Sequence, residues 1–342
     1  MKRLFYFHSM KLLRAFFFLP LLWSCQSETE LVQMTNQGPA QGSTFSISYL
    51  VPEGLDYRKD IDSILKSMDQ QMSLWVGDSE ISRLNEGESI YLSSDFHGLI
   101  LRSLHLSDLT GGAFDITIAP LIKAWGFSGG THNESVNLDS LMRFVGYEGL
   151  VSRRPGSMME KYTLPRGYEL DVNAIAQGYT VDVVSNFFRN QNVQNYMIEI
   201  GGEVRCKGKN LDGRLWRIGI EQPQEERVPG QYQTIVELDS MSLATSGNYR
   251  KYWLAENGQR VVHTIDPTSG QPVVSNLLSV SIIAQTATEA DALATACMVK
   301  GLEESKAMIE RFANTEGYFI VGNKYGEFEV QTTSNWSQYE LN

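Results

Sequence analysis

The segment Thr288-Glu-Ala-Asp291-Ala-Leu-Ala-Thr295 holds two side chains suited to one kind of chemistry. On a helix of 3.6 residues per turn, Asp291 and Thr295 lie one above the other on the same face, so a carboxylate and a hydroxyl can share a ligand. Two hard oxygens suit Mg²⁺, which keeps several waters, takes one or two carboxylates from a protein and completes its shell from substrate phosphates. The same residues fit a plainer reading. Thr288 and Asp291 also have the spacing of a capping box, in which the acid simply helps to start a helix.

Periodicity locates the elements that would hold this segment. Residues 43–50 alternate polar and apolar, with Phe45, Ile47 and Tyr49 on one face of a half-buried strand. Ile61, Ile64, Leu65, Met68 and Met72 recur at helical spacing between Asp56 and Met72, and a second helix spans Ser94 to Thr110 before Gly111-Gly112. Residues 128–139 and 151–158 are polar, turn-rich loops. Ile175, Tyr179, Val183, Val184 and Phe187 mark a helix running to about Arg189. Strands are expected at Tyr196–Ile200, Leu215–Glu221, Tyr232–Leu238, Val261–Ile265 and Leu278–Ala284, then helices at Glu289–Val299 and Leu302–Phe312 and a hairpin around Gly322–Gly326. Strands in groups, rather than in strict βαβ alternation, predict an α+β fold with largely antiparallel sheets and flanking helices.

The chain has 342 residues, 42% hydrophobic and 20% charged, which is globular composition with enough length for a sizeable core. A formal charge of −11 without a Lys/Arg cluster argues against nucleic-acid binding, where affinity comes from neutralising phosphates. Lys2, Arg3, Lys11 and Arg14 precede the apolar run Ala15–Trp23 and Ser24-Cys25, the layout of an export signal. That run is shorter than the roughly 20 residues a spanning helix needs. Leu22-Trp23-Ser24-Cys25 resembles a bacterial lipobox, with Trp23 in place of the usual small residue. The expectation is therefore a signal at residues 1–24, lipid on Cys25, a polar tether over 25–36, and a domain over 37–342 that is membrane-anchored and faces the periplasm. Cys206 and Cys297, outside any metal-ligand spacing, are expected to be buried thiols.

Neither a Walker A loop, nor a Rossmann glycine fingerprint, nor HExxH occurs. Gly126-Phe-Ser-Gly-Gly130 spells a hydrolase elbow but runs into polar Thr-His-Asn rather than a helix. Other clusters occur in a fixed order. They are Gly38-Pro-Ala-Gln-Gly42-Ser-Thr-Phe, Ser73-Leu-Trp75, Ser79-Glu-Ile-Ser-Arg-Leu-Asn85, Gly112-Ala-Phe-Asp115-Ile-Thr-Ile-Ala-Pro120 and Ala124-Trp-Gly-Phe127. Then come Leu170-Asp-Val-Asn-Ala-Ile-Ala-Gln-Gly-Tyr179, Ile200-Gly-Gly202, Trp216-Arg-Ile-Gly-Ile-Glu-Gln-Pro223, Ala244-Thr-Ser-Gly-Asn-Tyr-Arg250, His263-Thr-Ile-Asp-Pro-Thr-Ser-Gly270 and Ala290-Asp-Ala-Leu-Ala-Thr295. From about Gly38 onward this series resembles the ApbE family of FAD:protein FMN transferases.

The resemblance implies a T-fold-like architecture and an exported enzyme that splits the pyrophosphate of FAD, joins FMN to a Thr or Ser hydroxyl of a target protein and releases AMP, with Mg²⁺ required. It implies metal contacts from Asp291, Thr295 and backbone oxygen at Ala174 and Ala294. Flavin and adenine contacts are implied at Gln41, Trp75, Ala113, Phe114, Asp115, Asp171, Gln177 and Ile265. Gln41 stands where Met is usual in the family, and Gln177 where Lys or Glu is usual. A separate acceptor is implied, with respiratory electron-transfer subunits the expected kind, because this chain has no Asp-Gly-x-Thr/Ser-Gly-Ala-Thr/Ser sequence of its own.

A threonine hydroxyl is a weak nucleophile near neutral pH, so a base should stand beside it, and His263 is the histidine that adjoins a matched motif. A strand histidine with a structural hydrogen bond is the plain alternative. Trp75 is either core or a stacking surface for a flavin or adenine ring, and Asp115 and Asp171 are either site residues or turn caps. Two other functions remain open at this level: FAD pyrophosphatase, with water as acceptor, and a lipoprotein that only stores flavin.

Overall fold

Phe45, Ile47 and Tyr49 are buried, as their alternation predicts. They lie in the second of two long antiparallel strands, β1 (Leu31–Ala40) and β2 (Ser43–Pro52), joined through Gln41 and Gly42. Both turn residues have positive φ, 48° and 73°, the left-handed geometry that a two-residue hairpin requires. This computed structural model describes residues 30–127, 137–223, 230–248, 252–254, 260–323 and 327–341, and the side chains of 252–254, 260 and 261 are excluded. The expected signal, Cys25, His8, His132, most of the 128–139 loop and the latter part of the Gly126–Gly130 motif lie outside the described residues. Residues 31–36, expected within the tether, are strand instead, paired along β2.

After β2 come helices α1 (Arg58–Met72), α2 (Glu80–Asn85), α3 (Ser94–Thr110), α4 (Ala119–Ala124), α5 (Leu138–Leu141), α6 (Glu148–Val151) and α7 (Ala176–Asn190). Helix α3 has the expected bounds: Ser93 accepts a hydrogen bond from the Phe96 N–H at its start, and Gly111, with φ 63°, turns the chain out at its end. The second half is sheet-rich: β3 (Tyr196–Ile200), β4 (Glu203–Lys207), β5 (Trp216–Glu221), β6 (Tyr232–Leu238), β7 (Ser242–Gly247), β8 (Tyr252–Leu254), β9 (Arg260–Val262) and β10 (Leu277–Ala284). Helices α8 (Ala287–Lys300) and α9 (Leu302–Ile309) and the hairpin β11 (Glu316–Gly322) and β12 (Phe328–Thr332) close the chain.

Among the described residues, eight strands form one antiparallel sheet in the order β1-β2-β3-β4-β7-β10-β11-β12, with β5–β6 and β8–β9 as separate hairpins. The α+β expectation is met. The strand expected at Val261–Ile265 ends at Val262, and Ile265 makes a single bridge to Pro272. Cys206 and Cys297 are buried and free.

Helix α8 controls the site. It packs against α7, α3 and α9 and against β7 and β10, so residues on all its faces are buried, Ala287, Ala290, Leu293, Ala296 and Met298 among them. A helix in this position carries Asp291 into the interior.

Candidate active site

The capping box expected at Thr288 and Asp291 belongs to other residues. Thr286 is the N-cap of α8, its hydroxyl accepting from the Glu289 N–H at 3.2 Å. Thr288 instead gives its backbone N–H, at 2.9 Å, and its hydroxyl to Asp182 of α7. Asp182 also accepts from the Ala287 N–H at 3.1 Å and pairs with Arg205 of β4 at 3.1 Å. The start of α8 is thus satisfied without Asp291.

Asp291 accepts from a different helix. Its Oδ2 receives the Gly178 N–H at 3.1 Å. Gly178 is the third residue of α7, in the first turn, where backbone N–H groups have no partner within the helix and a carboxylate is a favourable acceptor. The Ala174 carbonyl, in the turn just before α7, accepts no backbone N–H among the described residues. Glycine is required here: a Cβ on residue 178 would stand 2.4 Å from the Ala287 carbonyl oxygen and 2.9 Å from the Asp291 Cβ. One turn further along α8, the Thr295 hydroxyl lies 3.3 Å from Ser246 Oγ of β7. Ala294 is fully buried inside α8, where its carbonyl belongs to the helical ladder.

Gln177, next to Gly178, donates from Nε2 to the Gln41 carbonyl at 3.4 Å, and Gln41 Nε2 donates to Thr180 Oγ1 at 2.8 Å. Gln41 Oε1 is buried without a hydrogen-bond partner among the described residues. Gly201, in the β3–β4 turn, packs so closely that a Cβ would meet the Gln177 amide at 2.2 Å. Gln41 and Gln177 are therefore joined to each other next to Gly178.

His263 is half-buried just after β9. The adjacent Thr264 hydroxyl donates to Asn248 Oδ1 at 2.7 Å, and Asn248 follows β7, two residues beyond Ser246. This ties the His263 segment to the strand that faces Thr295. Ile265 is buried, and the Trp125 indole N–H donates to the Gly270 carbonyl at 2.9 Å, joining the end of α4 to the same loop.

The remaining positions form a second group. Asp115 caps the short 3-10 turn Ile116–Ile118: Oδ1 accepts from the Thr117 N–H at 2.8 Å and its hydroxyl at 2.7 Å, and Oδ2 accepts from the Tyr147 N–H at 2.7 Å. Burial raises its carboxyl to about 6 against these bonds. Asp171 gives its N–H to the Ile116 carbonyl at 2.8 Å and accepts from the Asn173 N–H at 2.8 Å, in the turn that leads to Ala174. Burial raises this carboxyl as well, with Lys123 acting against the shift. Ala113 and Phe114 are core residues, so backbone is what they can offer a ligand. Trp75 is 75% exposed on the turn after α1, which removes the core reading and leaves its ring face open.

Residues 41–319 match the ApbE family. The chain belongs to the ApbE family. FAD:protein FMN transferase of Vibrio cholerae is 36% identical over 303 residues, 85% of this chain and 88% of that protein. The protein of that name from Haemophilus influenzae is 34% identical over 321 residues, 89% of this chain and 90% of the relative. The solved flavin transferase ApbE from Vibrio cholerae superposes with a TM-score of 0.77 at 32% identity, covering 91% of this chain and all of the other. Apo flavinyl transferase ApbE from Pseudomonas stutzeri gives 0.78 at 31% identity, covering 90% and 96%.

Within this ApbE chain the site holds a residue that motif reading passed over. Glu203 opens β4 directly after Ile200-Gly201-Gly202, is 7% exposed, and has an Oε2 without a partner. Burial and then the charge of Asp291 push its carboxyl well upward, and burial also raises Asp291 against the bond from Gly178. The available signal was its position, since it ends a glycine pair that the ordered motifs already contained. Among the described residues no three His, Cys, Asp or Glu side chains form a metal cage. Mg²⁺ needs none, because one or two carboxylates plus neutral oxygens suffice when phosphates complete the shell. By donor type, Asp291, the Thr295 hydroxyl and the Ala174 carbonyl fit that ion, and a buried acid whose oxygen has no partner among the described residues marks a place where positive charge is missing.

Proposed function

We propose that this enzyme transfers FMN from FAD to a Thr or Ser hydroxyl of a separate protein, releasing AMP, with Mg²⁺ held by Asp291, Thr295 and the Ala174 carbonyl. Membership of a family whose relatives carry the name FAD:protein FMN transferase supports the reaction. The observation that supports the metal assignment is a buried Asp291 that takes one N–H from Gly178, one turn of α8 from the Thr295 hydroxyl, with a second buried acid, Glu203, whose Oε2 has no partner among the described residues. Mg²⁺ would supply positive charge against the charge that gathers on pyrophosphate oxygens as the bond breaks.

The chain's own groups do the positioning. Trp75 offers a stacking face for a ring of FAD. Gln41 and Gln177, already bonded to each other, line the same site as the metal ligands and can hydrogen-bond FAD. His263 takes the proton of the acceptor hydroxyl as its oxygen bonds to the FMN phosphorus and the P–O bond to AMP breaks, so AMP leaves with the bond electrons. Asp115 and Asp171 hold the turns that bring the chain to Ala174.

The location follows the N-terminal pattern: an export signal, lipid on Cys25, and a domain on the periplasmic side of a membrane. With β1 beginning at Leu31, residues 26–30 are the whole tether. Five residues reach about 18 Å at most. The domain would then work close to the bilayer, where a membrane-bound acceptor can meet it.

Incubation of the protein with FAD, Mg²⁺ and a periplasmic acceptor, followed by a denaturing gel, tests the reaction. Fluorescent flavin should migrate with the acceptor, and mass spectrometry should find FMN on Thr or Ser. Free FMN and AMP with unlabelled acceptor would replace transfer by hydrolysis.

A further inference from the structure

We propose that Glu203 is a second carboxylate of the cation centre, and that together with Asp291 it lets the protein bind a divalent cation before FAD arrives. This rests on the reading of Asp291 as a metal ligand and extends it to a residue outside the ligand set that the family resemblance implies.

Strand alternation puts Glu203 and Arg205 on one face of β4. Arg205 on that face reaches Asp182 of α7 and the carbonyl of Gln285 just before α8, so the face looks toward the two helices. Glu203 therefore turns toward the crossing where Gly178 meets Asp291. The turn before it agrees, because Gly201 lies against the side chain of Gln177, the neighbour of Gly178. Beside β4, β7 carries Ser246 to Thr295.

Among the described residues Glu203 lacks a compensating cation in this position. Arg205, the nearest cation in sequence, is committed to Asp182, Ser242 and Gln285. Among the described residues no ion pair engages Glu203, and its Oε2 has no hydrogen-bond partner although the residue is buried. An isolated carboxylate in such surroundings is costly, and a second one facing it adds repulsion. A divalent cation between two carboxylates removes both costs, whereas the phosphates of FAD, being anions, deepen them unless the cation is already present. Charge thus sets an order of binding, with metal first.

Mn²⁺ titration of the purified protein without FAD, followed by electron paramagnetic resonance of the free ion, tests this. The parent should bind one Mn²⁺. Glu203→Gln, which keeps shape and removes charge, should bind it at least 10-fold more weakly, with Glu203→Asp in between. In EDTA the melting temperature of Glu203→Gln should equal or exceed the parent's, which separates loss of a ligand from loss of fold. Equal Mn²⁺ affinity in Glu203→Gln and parent overturns the proposal, and so does a parent that binds no Mn²⁺ until FAD is added. Asp291→Asn tells the two failures apart. If it loses Mn²⁺ and flavin transfer while Glu203→Gln loses neither, the centre stands and Glu203 is outside it. If Asp291→Asn also behaves as the parent, the centre itself falls.

Discussion

Asp115 and Asp291 are both buried acids whose carboxyls desolvation pushes upward, yet their surroundings differ in kind. Asp115 receives two N–H groups and a hydroxyl across its two oxygens, all from the loops it joins. Asp291 receives one N–H, from the first turn of α7, and faces a glutamate with an oxygen that no group among the described residues satisfies. A fully bonded buried acid is a fastener. One left short of donors, beside a second acid, is what the proposed cation would satisfy.

Substitutions test that contrast, starting with the largest effect. Asp291→Asn should lower the rate of covalent flavin transfer by at least about 100-fold, as loss of a metal contact does, while the metal-free protein melts no lower than the parent because a desolvated charge is gone. A large drop in its melting temperature would make Asp291 a fastener too. Asp115→Asn should do the reverse and cost about 1–3 kcal/mol in urea unfolding, since an amide turns N–H against the Tyr147 N–H. If stability held while transfer vanished, Asp115 would join the active site.

Acidity sharpens the same comparison. Unfolded carboxyls titrate near about 4, whereas folded Asp115 holds its proton to about 6 and Asp171, Glu203 and Asp291 are also raised. Between those values the folded state binds more protons, so for these groups stability falls as pH rises. In EDTA, the parent should therefore gain on Asp291→Asn as pH drops from neutrality toward 5. Saturating Mg²⁺ at neutral pH should restore stability, by about 2.7 kcal/mol at a hundred times its Kd. Thr286→Ala should cost about 1 kcal/mol through the lost cap of α8. Trp75→Ala should change stability by less than about 0.5 kcal/mol, as exposed positions do, and raise KM for FAD.

Elements with local signals were legible in the sequence. Ser93 and Gly111 bound α3, and Phe45, Ile47 and Tyr49 declare β2. Helix α8 is buried on every face and so has no stripe to read, and its true cap, Thr286, lies two residues before a threonine with equally plausible spacing. Strands β4 and β7 are short and rich in charged or small residues, and become strands by pairing with each other and with β3 and β10. Within the site, helical spacing alone put Asp291 and Thr295 on one face. The bond from Gly178 to Asp291 spans 113 positions and leaves no local trace. Glu203 was missed because the glycines before it drew the reading, and an acid that starts a strand looks solvated until its burial is known.

The glycine at position 178 also limits how this catalyst can diversify. Gln41 and Gln177 are part-buried and reach the site through long, flexible side chains, whereas a single methyl at 178 would strike the Ala287 carbonyl and part the two helices. Selection from a randomised library for flavinylating clones should therefore recover many side chains at 41 and 177 and one at 178. New donor preferences would arise around the mouth of the site while its floor stays fixed.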